Sequence, residues 1–227
     1  IEGVDTRALT RHLRERGSMR MGIFSGADSE NLEGLIEAVA QSPVMLGASF
    51  TDQVSTAESY VIAAKGQKKA TCVALDFGIK SMTPQRLSER GIEVHVVNAN
   101  TNWEKIVALK PNGIFLSNGP GDPASAVDAV GLVQKALKAK MPLFGICFGN
   151  QILGRALGLD TYKMQYGHRG INQPVKDLTT GKVEITAHNH GFAVRAPNSR
   201  DFDTPFGRAR ISHICLNDNV VEGIELL

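Results

Sequence analysis

The chain has 227 residues, of which 42% are hydrophobic and 21% are charged. A chain of this length can bury a sizeable core in one large domain, or in one domain with a small appendage. Twenty-five Lys and Arg against 23 Asp and Glu leave a net charge of +2 without a basic block, which argues against nucleic-acid binding. No apolar run approaches the ~20 residues of a membrane span, and no signal peptide is recognisable at the start, so a soluble protein is expected.

The cysteine content limits the possible kinds of site. Cys72, Cys147 and Cys215 are too few and too scattered for a disulfide framework or a CxxC metal site. Free thiols are typical of a reducing compartment, so the sequence predicts a cytoplasmic protein. The odd number leaves room for one reactive thiol, which composition alone does not identify.

The first 70 residues are predicted to form two helices and a linker. Asp5 is a candidate N-cap, apolar residues follow at i, i+4 spacing, and Gly17 would end the first helix. A second helical pattern covers residues 32–39. Residues 50–70 are rich in Ser, Thr, Gln and Lys and are predicted to be a linker, which places a domain boundary near residue 70.

After residue 70, short apolar strands alternate with helices. This alternation predicts an α/β fold with a largely parallel sheet flanked by helices. Beyond residue 160 the pattern changes to strand-like segments, which predicts an antiparallel extension. The predicted strands cover residues 72–77, 92–97, 113–117, 141–147, 183–187 and 208–215, and the predicted helices cover residues 81–90, 103–109, 127–138 and 151–157.

A candidate nucleophile lies in residues 145–151 (GICFGNQ), directly after the fourth predicted strand. Glycines two positions before and two positions after Cys147 permit a tight strand-to-helix turn, as in a nucleophile elbow. The following helix directs its N-terminal dipole and free N–H groups at the sulfur, which favours the thiolate, the attacking species. The alternative is a buried structural cysteine in a glycine-bounded turn.

A second motif, residues 116–123 (LSNGPGDP), follows the third predicted strand. Its glycines and prolines predict a rigid loop with exposed backbone N–H groups. Because ligands bind outside the carboxyl ends of parallel strands, this loop should face the Cys147 turn. The N–H groups of Gly119 or Gly121, together with that of Phe148, could then form an oxyanion hole. Taken alone, the motif could equally be a simple turn.

The two motifs together resemble those of class I glutamine amidotransferases. Three further segments narrow the resemblance to the small, glutaminase subunits of carbamoyl-phosphate synthases: residues 3–10 (GVDTRALT), 167–175 (GHRGINQPV) and 189–194 (NHGFAV). The resemblance implies an amidotransferase domain with a flavodoxin-like core over residues 71–227. It also implies that residues 1–70 are the carboxyl-terminal part of a small amino-terminal domain, plus a linker.

The resemblance implies that Cys147 attacks the side-chain amide of L-glutamine, forms a γ-glutamyl thioester and releases ammonia. A large ATP-dependent subunit would consume this ammonia, so ATP and Mg would be bound by that partner and no cofactor or metal by this chain. The lack of a GxxxxGK[ST] phosphate loop agrees with this division. The implied substrate-binding positions are Gly119, Gly121, Phe148, Gln151, Asn189, Gly191 and Phe192.

The catalytic base is missing from its expected place. In this family a His-Pro-Glu motif supplies the base and its orienting group. The sequence contains no such motif, and residues 221–227 (VEGIELL) stop short of where it should follow. We therefore expect a sequence that is incomplete at both ends and a chain that is a poor glutaminase by itself. His168 and His190 are expected near the pocket in a supporting polar role.

Two other hypotheses remain open at this stage. A catalytically silent regulatory module with the same fold would also lack the base, although the intact Cys147 turn argues against it. A triad amidotransferase of another pathway, such as purine or anthranilate synthesis, is disfavoured by residues 3–10.

Overall fold

The computed structural model describes residues 3–26 and 30–227, which form two five-stranded sheets with flanking helices. The helices are α1 (Thr6–Arg16), α2 (Leu32–Gln41), α3 (Thr51–Val54), α4 (Met82–Ser88), α5 (Trp103–Ala108), α6 (Val127–Lys138) and α7 (Phe148–Ala156). The strands are β1 (Tyr60–Ile62), β2 (Ala70–Asp76), β3 (Ile92–Asn98), β4 (Gly113–Leu116), β5 (Leu143–Gly145), β6 (Thr161–Asp177), β7 (Val183–Val194), β8 (Asp201–Thr204), β9 (Gly207–Cys215) and β10 (Val221–Leu226). None of these helices is long and apolar enough to cross a membrane.

The two predicted amino-terminal helices are present. The Asp5 carboxylate accepts a hydrogen bond from the Ala8 N–H at 2.9 Å, as an N-cap does, and Gly17 follows the last residue of α1 with a φ of 87°. Helix α2 begins after Asn31 and extends to Gln41. Neither helix buries a residue, so both contribute little to the core.

Residues 50–70 differ from the linker that their composition predicts. Residues 51–54 form α3, and β1 pairs antiparallel with β3 as the edge strand of the first sheet. The Asp76 carboxylate accepts a hydrogen bond from the Thr56 N–H at 2.9 Å, which fastens this segment to the end of β2. Strand β1 has only three residues, Tyr60–Ile62, so the polar residues around it dominate the composition of this segment.

The first sheet has the strand order β1–β3–β2–β4–β5, and all its strands except β1 run parallel. Its central strand β2 is buried on both faces, with Val73, Ala74 and Leu75 completely inaccessible. Helices α5, α6 and α7 contribute Ile106, Val133 and Ile152 to the core on one side. The predicted α/β fold with a largely parallel, helix-flanked sheet is confirmed.

The second sheet is antiparallel, which confirms the predicted extension beyond residue 160. Its strand order is β10–β7–β6–β9–β8, and β10 also pairs with β9, so that four strands close on themselves. The longest pairing joins β6 and β7, two strands of 17 and 12 residues. Strand β7 packs against α7, where the Gln151 amide donates to the Phe192 carbonyl. This contact brings the second sheet to the edge of the first.

Candidate active site

Cys147 lies in the tight turn between β5 and α7. Its backbone has φ 55° and ψ −109°, a conformation that residues with a side chain rarely adopt. A Cβ on Gly145 would lie 2.6 Å from the carbonyl carbon of Gly149, and a Cβ on Gly149 would lie 2.2 Å from the Leu116 oxygen. Both glycines are thus required by backbone contacts, as the predicted strand-to-helix turn demands.

The glycine–proline loop faces this turn. Cys147, Gly119, Pro120 and Gly121 all line one cavity of about 530 Å³. The Gly149 N–H donates to the Ser117 carbonyl at 3.1 Å, which holds the start of α7 against the end of β4. The proximity predicted from the parallel strands is therefore present.

A segment from the first 50 residues fastens the same loop, a contact that none of the sequence motifs predicts. The Asp122 N–H donates to the Ala48 carbonyl at 2.8 Å, and the Asp122 carboxylate accepts from the Gly47 N–H at 2.8 Å. Ser49 and Gly121 form an isolated antiparallel bridge, and Met45 lines the cavity. The amino-terminal segment thus forms part of the cavity wall.

Most of the predicted substrate-binding positions lie in this cavity. Gln151, Asn189, Gly191 and Phe192 line it together with the two loop glycines. Gln151 is only 7% exposed, so it is not a residue of the helix surface. The side chain of Phe148 points instead into the core, and its backbone N–H lies close to the Cys147 sulfur.

Three cationic side chains of the cavity were not predicted. Lys80, Lys163 and Arg169 line it from the end of the first sheet and from β6. Burial, followed by the charge of Arg169, lowers the pKa of Lys163. Lys163 also lies 5.6 Å from the centre of the Phe192 ring. These charges make the cavity suitable for an anionic group.

The pKa of the Cys147 thiol is shifted upward, opposite to the direction that the motif predicts. Burial raises the pKa of its thiol, while the Phe148 N–H and the charges of Lys80 and Arg169 lower it. Burial outweighs them, and the nearby Glu222 charge also raises the pKa. A base must therefore take the proton when the sulfur reacts.

Three histidines and a glutamate meet beside Cys147. His168, His188, His190 and Glu222 have donor atoms that all lie within 4.8 Å of one another. His190 and Glu222 also line a small cavity of about 50 Å³ with Cys147. His168 and His190 were expected near the pocket, whereas His188 and Glu222 were not. Among the described residues, no hydrogen bond joins the Cys147 sulfur to an imidazole.

Comparison with known proteins places this arrangement in a class. The family model "Glutamine amidotransferase class-I" matches residues 73–226. The chain therefore belongs to the class I glutamine amidotransferases.

Within this class, the curated relatives that match the chain are small chains of carbamoyl phosphate synthase. The carbamoyl phosphate synthase small chain of Streptomyces avermitilis is 61% identical over 227 residues, which is 100% of this chain and 60% of the relative. The protein of the same name from Corynebacterium glutamicum is 55% identical and is covered to 58%. The chain thus spans about 60% of the length of the curated relatives that it matches, and the resemblance to these small subunits is confirmed.

Solved structures confirm the fold alone. A structure described as a GMP synthase component from Thermoplasma acidophilum superimposes with a TM-score of 0.54 at 18% identity, covering 69% of this chain and 77% of that one. A glutamine amidotransferase of Methylobacillus flagellatus gives a TM-score of 0.50 at 14% identity, covering 71% and 66% of the two chains.

Proposed function

We propose that this chain forms the glutaminase portion of a carbamoyl-phosphate synthase small subunit. One observation carries the proposal: a cysteine in a strained turn shares a cavity with a backbone-rich loop and with cationic side chains. A structural cysteine needs none of these neighbours.

The proposed reaction begins with attack by the Cys147 sulfur on the side-chain amide carbon of glutamine. The thiol proton passes to a base, and the carbonyl oxygen becomes an oxyanion. The N–H of Phe148 and that of Gly119 or Gly121 would stabilise this charge. When the C–N bond breaks, the leaving nitrogen takes a proton and departs as ammonia. Water then hydrolyses the γ-glutamyl thioester, which releases glutamate and restores the thiol.

The cavity wall suggests how free glutamine is selected. The α-carboxylate would be attracted by the cations of Lys80, Lys163 and Arg169. The amide of Asn189 offers both a donor and an acceptor to the α-amino and carboxylate groups. A peptide-bound glutamine lacks both charges, so the proposed substrate is the free amino acid.

We place the base of the intact enzyme outside the six histidines of this chain. Among the described residues, none of the imidazoles is hydrogen-bonded to the Cys147 sulfur. The family's His-Pro-Glu motif, which this sequence lacks, would supply the base. This chain alone is then a weak glutaminase, because losing the base costs orders of magnitude in rate.

The proposed partner is the large subunit of the synthase, which would combine the ammonia with bicarbonate at the expense of ATP and Mg. Two observations support this assignment. The curated relatives are named as small chains, and the sequence has no GxxxxGK[ST] loop for ATP.

The decisive test uses the complete small subunit in complex with its large subunit. Cys147→Ser should abolish carbamoyl phosphate synthesis from glutamine but retain synthesis from added ammonia. Cys72→Ser, whose thiol lies in β2 of the first sheet, is the matched control and should keep both activities. A glutamine-like chloroketone should label Cys147 in the control. If Cys147 were not labelled and the serine variant behaved like the control, the silent regulatory module would be the better hypothesis.

A further inference from the structure

We propose that His168, His188, His190 and Glu222 form a binding site for one Zn²⁺ ion, beside the glutamine cavity. This inference does not rest on the proposed glutaminase activity. It departs from the expectation that the chain binds no metal, which followed from the spacing of the cysteines and from the family resemblance.

The backbone gathers these residues from three neighbouring strands. His168 on β6 lies directly opposite His190 on β7 in the pairing register. His188 is two residues before His190 and shares its face of the strand. Glu222 lies on β10, the neighbour of β7 on the other side. Residues paired across strands on one face lie about 5 Å apart, so this register brings four ligand side chains together.

The distances between the inward atoms match a tetrahedral ion. His188 Nδ1 lies 3.4 Å from both His168 Nδ1 and His190 Nε2. Glu222 oxygens lie 3.5 Å from His188 Nδ1 and from His190 Nε2, and 2.9 Å from His168 Nδ1. In a tetrahedral site with bonds of about 2.0–2.1 Å, the ligand atoms are roughly 3.3–3.4 Å apart. The contact between His168 and Glu222 would have to lengthen, and the carboxylate would have to turn so that one oxygen faces all three nitrogens, because Oε1 is nearest His168 and His188 and Oε2 is nearest His190.

The outer nitrogens of two of the histidines donate hydrogen bonds away from the cluster. His190 Nδ1 donates to the Phe192 carbonyl at 2.9 Å, because a carbonyl can only accept. His168 Nε2 lies 2.8 Å from the carboxylate of Asp218, which also accepts. In a neutral His190 the proton is therefore on Nδ1, and Nε2 is an unprotonated ligand. His168 Nδ1 also faces a carboxylate oxygen, Glu222 Oε1 at 2.9 Å, so zinc would replace the proton that this pair shares. The contact with Asp218 has the form of a carboxylate–histidine–zinc arrangement.

The third histidine is oriented in the same way. His188 Nε2 lies 2.8 Å from the Thr186 hydroxyl, and this hydroxyl donates its own hydrogen to the Gln173 carbonyl at 3.0 Å. The hydroxyl oxygen therefore accepts from Nε2, which leaves Nδ1 unprotonated.

The four ligand groups are largely shielded from water. Their side chains are 7%, 10%, 11% and 13% exposed, for His168, His188, His190 and Glu222 respectively. Lone pairs and a carboxylate that converge in such a place repel one another unless a cation or additional protons lie between them. Imidazole nitrogens suit zinc far better than Mg²⁺ or Ca²⁺, which prefer oxygen ligands.

A site with four protein ligands leaves no open position for water, so the ion would have a structural role. It would join β6, β7 and β10 at the point where β7 carries Asn189 and Gly191 into the cavity. Zinc would therefore fix the geometry of one wall of the glutamine pocket.

Calorimetric titration of the chelator-treated protein with Zn²⁺, in the presence of a reducing agent, tests the proposal. We expect one ion per chain with a dissociation constant tighter than about 1 µM, and no binding of Mg²⁺. His188→Gln should weaken binding by about 100-fold or more, as should Glu222→Gln. His12→Gln, on the exposed surface of α1, is the matched control and should bind zinc as the unchanged protein does.

Three further measurements separate this site from its competitors. His168 also lies in a second group of possible ligands with Cys215 and Asp218, and Cys147 is nearby. Cys215→Ser and Cys147→Ser should keep the affinity, and bound Co²⁺ should show a tetrahedral spectrum without a thiolate charge-transfer band. Zinc should also raise the melting temperature of the unchanged protein but not that of His188→Gln. Absence of saturable binding, unchanged affinity in His188→Gln, or loss of binding in either serine variant would overturn the proposal.

Discussion

The Cys147 turn and the histidine cluster border the same cavity but are held in place by different forces. The turn is determined by backbone contacts, since the glycines at 145 and 149 approach neighbouring main-chain atoms too closely for any side chain. The cluster depends on side-chain hydrogen bonds between strands that are far apart in sequence. The difference teaches that a backbone-determined site leaves a compact sequence motif, whereas a site assembled across strands does not.

Gly149→Ala places a methyl group in the backbone-determined Cys147 turn and should cause the largest loss of stability. The new methyl group would meet the Leu116 oxygen at 2.2 Å, and the main chain has little room to move. We expect the free energy of unfolding to fall by about 3 kcal/mol or more, measured by urea denaturation.

The control for that substitution is Gly131→Ala in α6. No atom lies within 4 Å of a Cβ built there, so alanine should stabilise the helix by roughly 0.5–1 kcal/mol. Equal destabilisation by both substitutions would contradict the account of the turn.

Gln151→Leu removes the hydrogen bond that joins the two regions. Gln151 Nε2 donates to the Phe192 carbonyl at 2.7 Å in a buried position, and His190 is the other donor to that oxygen. Because one donor remains, we expect a loss of only about 1–2 kcal/mol in unfolding free energy. Gln134→Leu is the matched control, since its longer 3.4 Å bond to Ala156 should contribute less.

The alkylation rate of Cys147 measures how far burial in the turn raises the pKa of its thiol. Since burial raises the pKa of this thiol, the thiolate fraction at neutral pH is below that of a free cysteine. Iodoacetamide should modify it several-fold more slowly at pH 7, and the rate should keep rising at a pH where a free thiol has levelled off. Arg169→Gln should slow the reaction at pH 7 further, because Arg169 lowers the pKa. A rate that is independent of pH above 7 would contradict this.

The smallest effect on stability is expected from the titration of Asp177, which lies at the end of β6 and away from the cavity. A hydrogen bond from the Thr180 hydroxyl, followed by one from the Thr179 N–H, lowers the pKa of Asp177 to about 2. Because an unfolded aspartate titrates near 3.9, the associated stability is present above about pH 4 and is lost as the pH falls toward 2. NMR titration of the carboxyl checks the pKa. In Asp177→Asn, the unfolding free energy should fall slightly less steeply as the pH is lowered from about 4 to 2.

The same difference explains which structural features could be predicted from the sequence. The parallel sheet, the turn at Cys147 and the facing loop were predictable because glycine spacing and apolar runs are local signals. Strand β1 was missed because it is only three residues long and lies within a segment that is otherwise rich in polar residues. The predicted downward shift of the Cys147 pKa was wrong. The N-terminus of α7, which lowers the pKa, can be recognised in the sequence, whereas the burial of the sulfur, which raises it, cannot.

Part of the histidine cluster could be predicted from the sequence. His188 and His190 alternate with Asn189, so a strand would place them on one face. Their meeting with His168 depends on the register of β6 and β7, which shifts twice, between Lys163 and His168 and between Gly170 and Gln173. Such irregularities cannot be read from residue types, and the position of Glu222 on β10 depends on yet another pairing.

The bridge between Ser49 and Gly121 has a practical consequence for anyone shortening this protein. The family match begins at residue 73, which invites trimming the gene at that boundary for expression. The trimmed product would lose the Ala48 carbonyl that accepts from Asp122, together with Met45 from the pocket lining. A crystallographer or screening group working with it would then be studying a pocket whose rim had been released on one side.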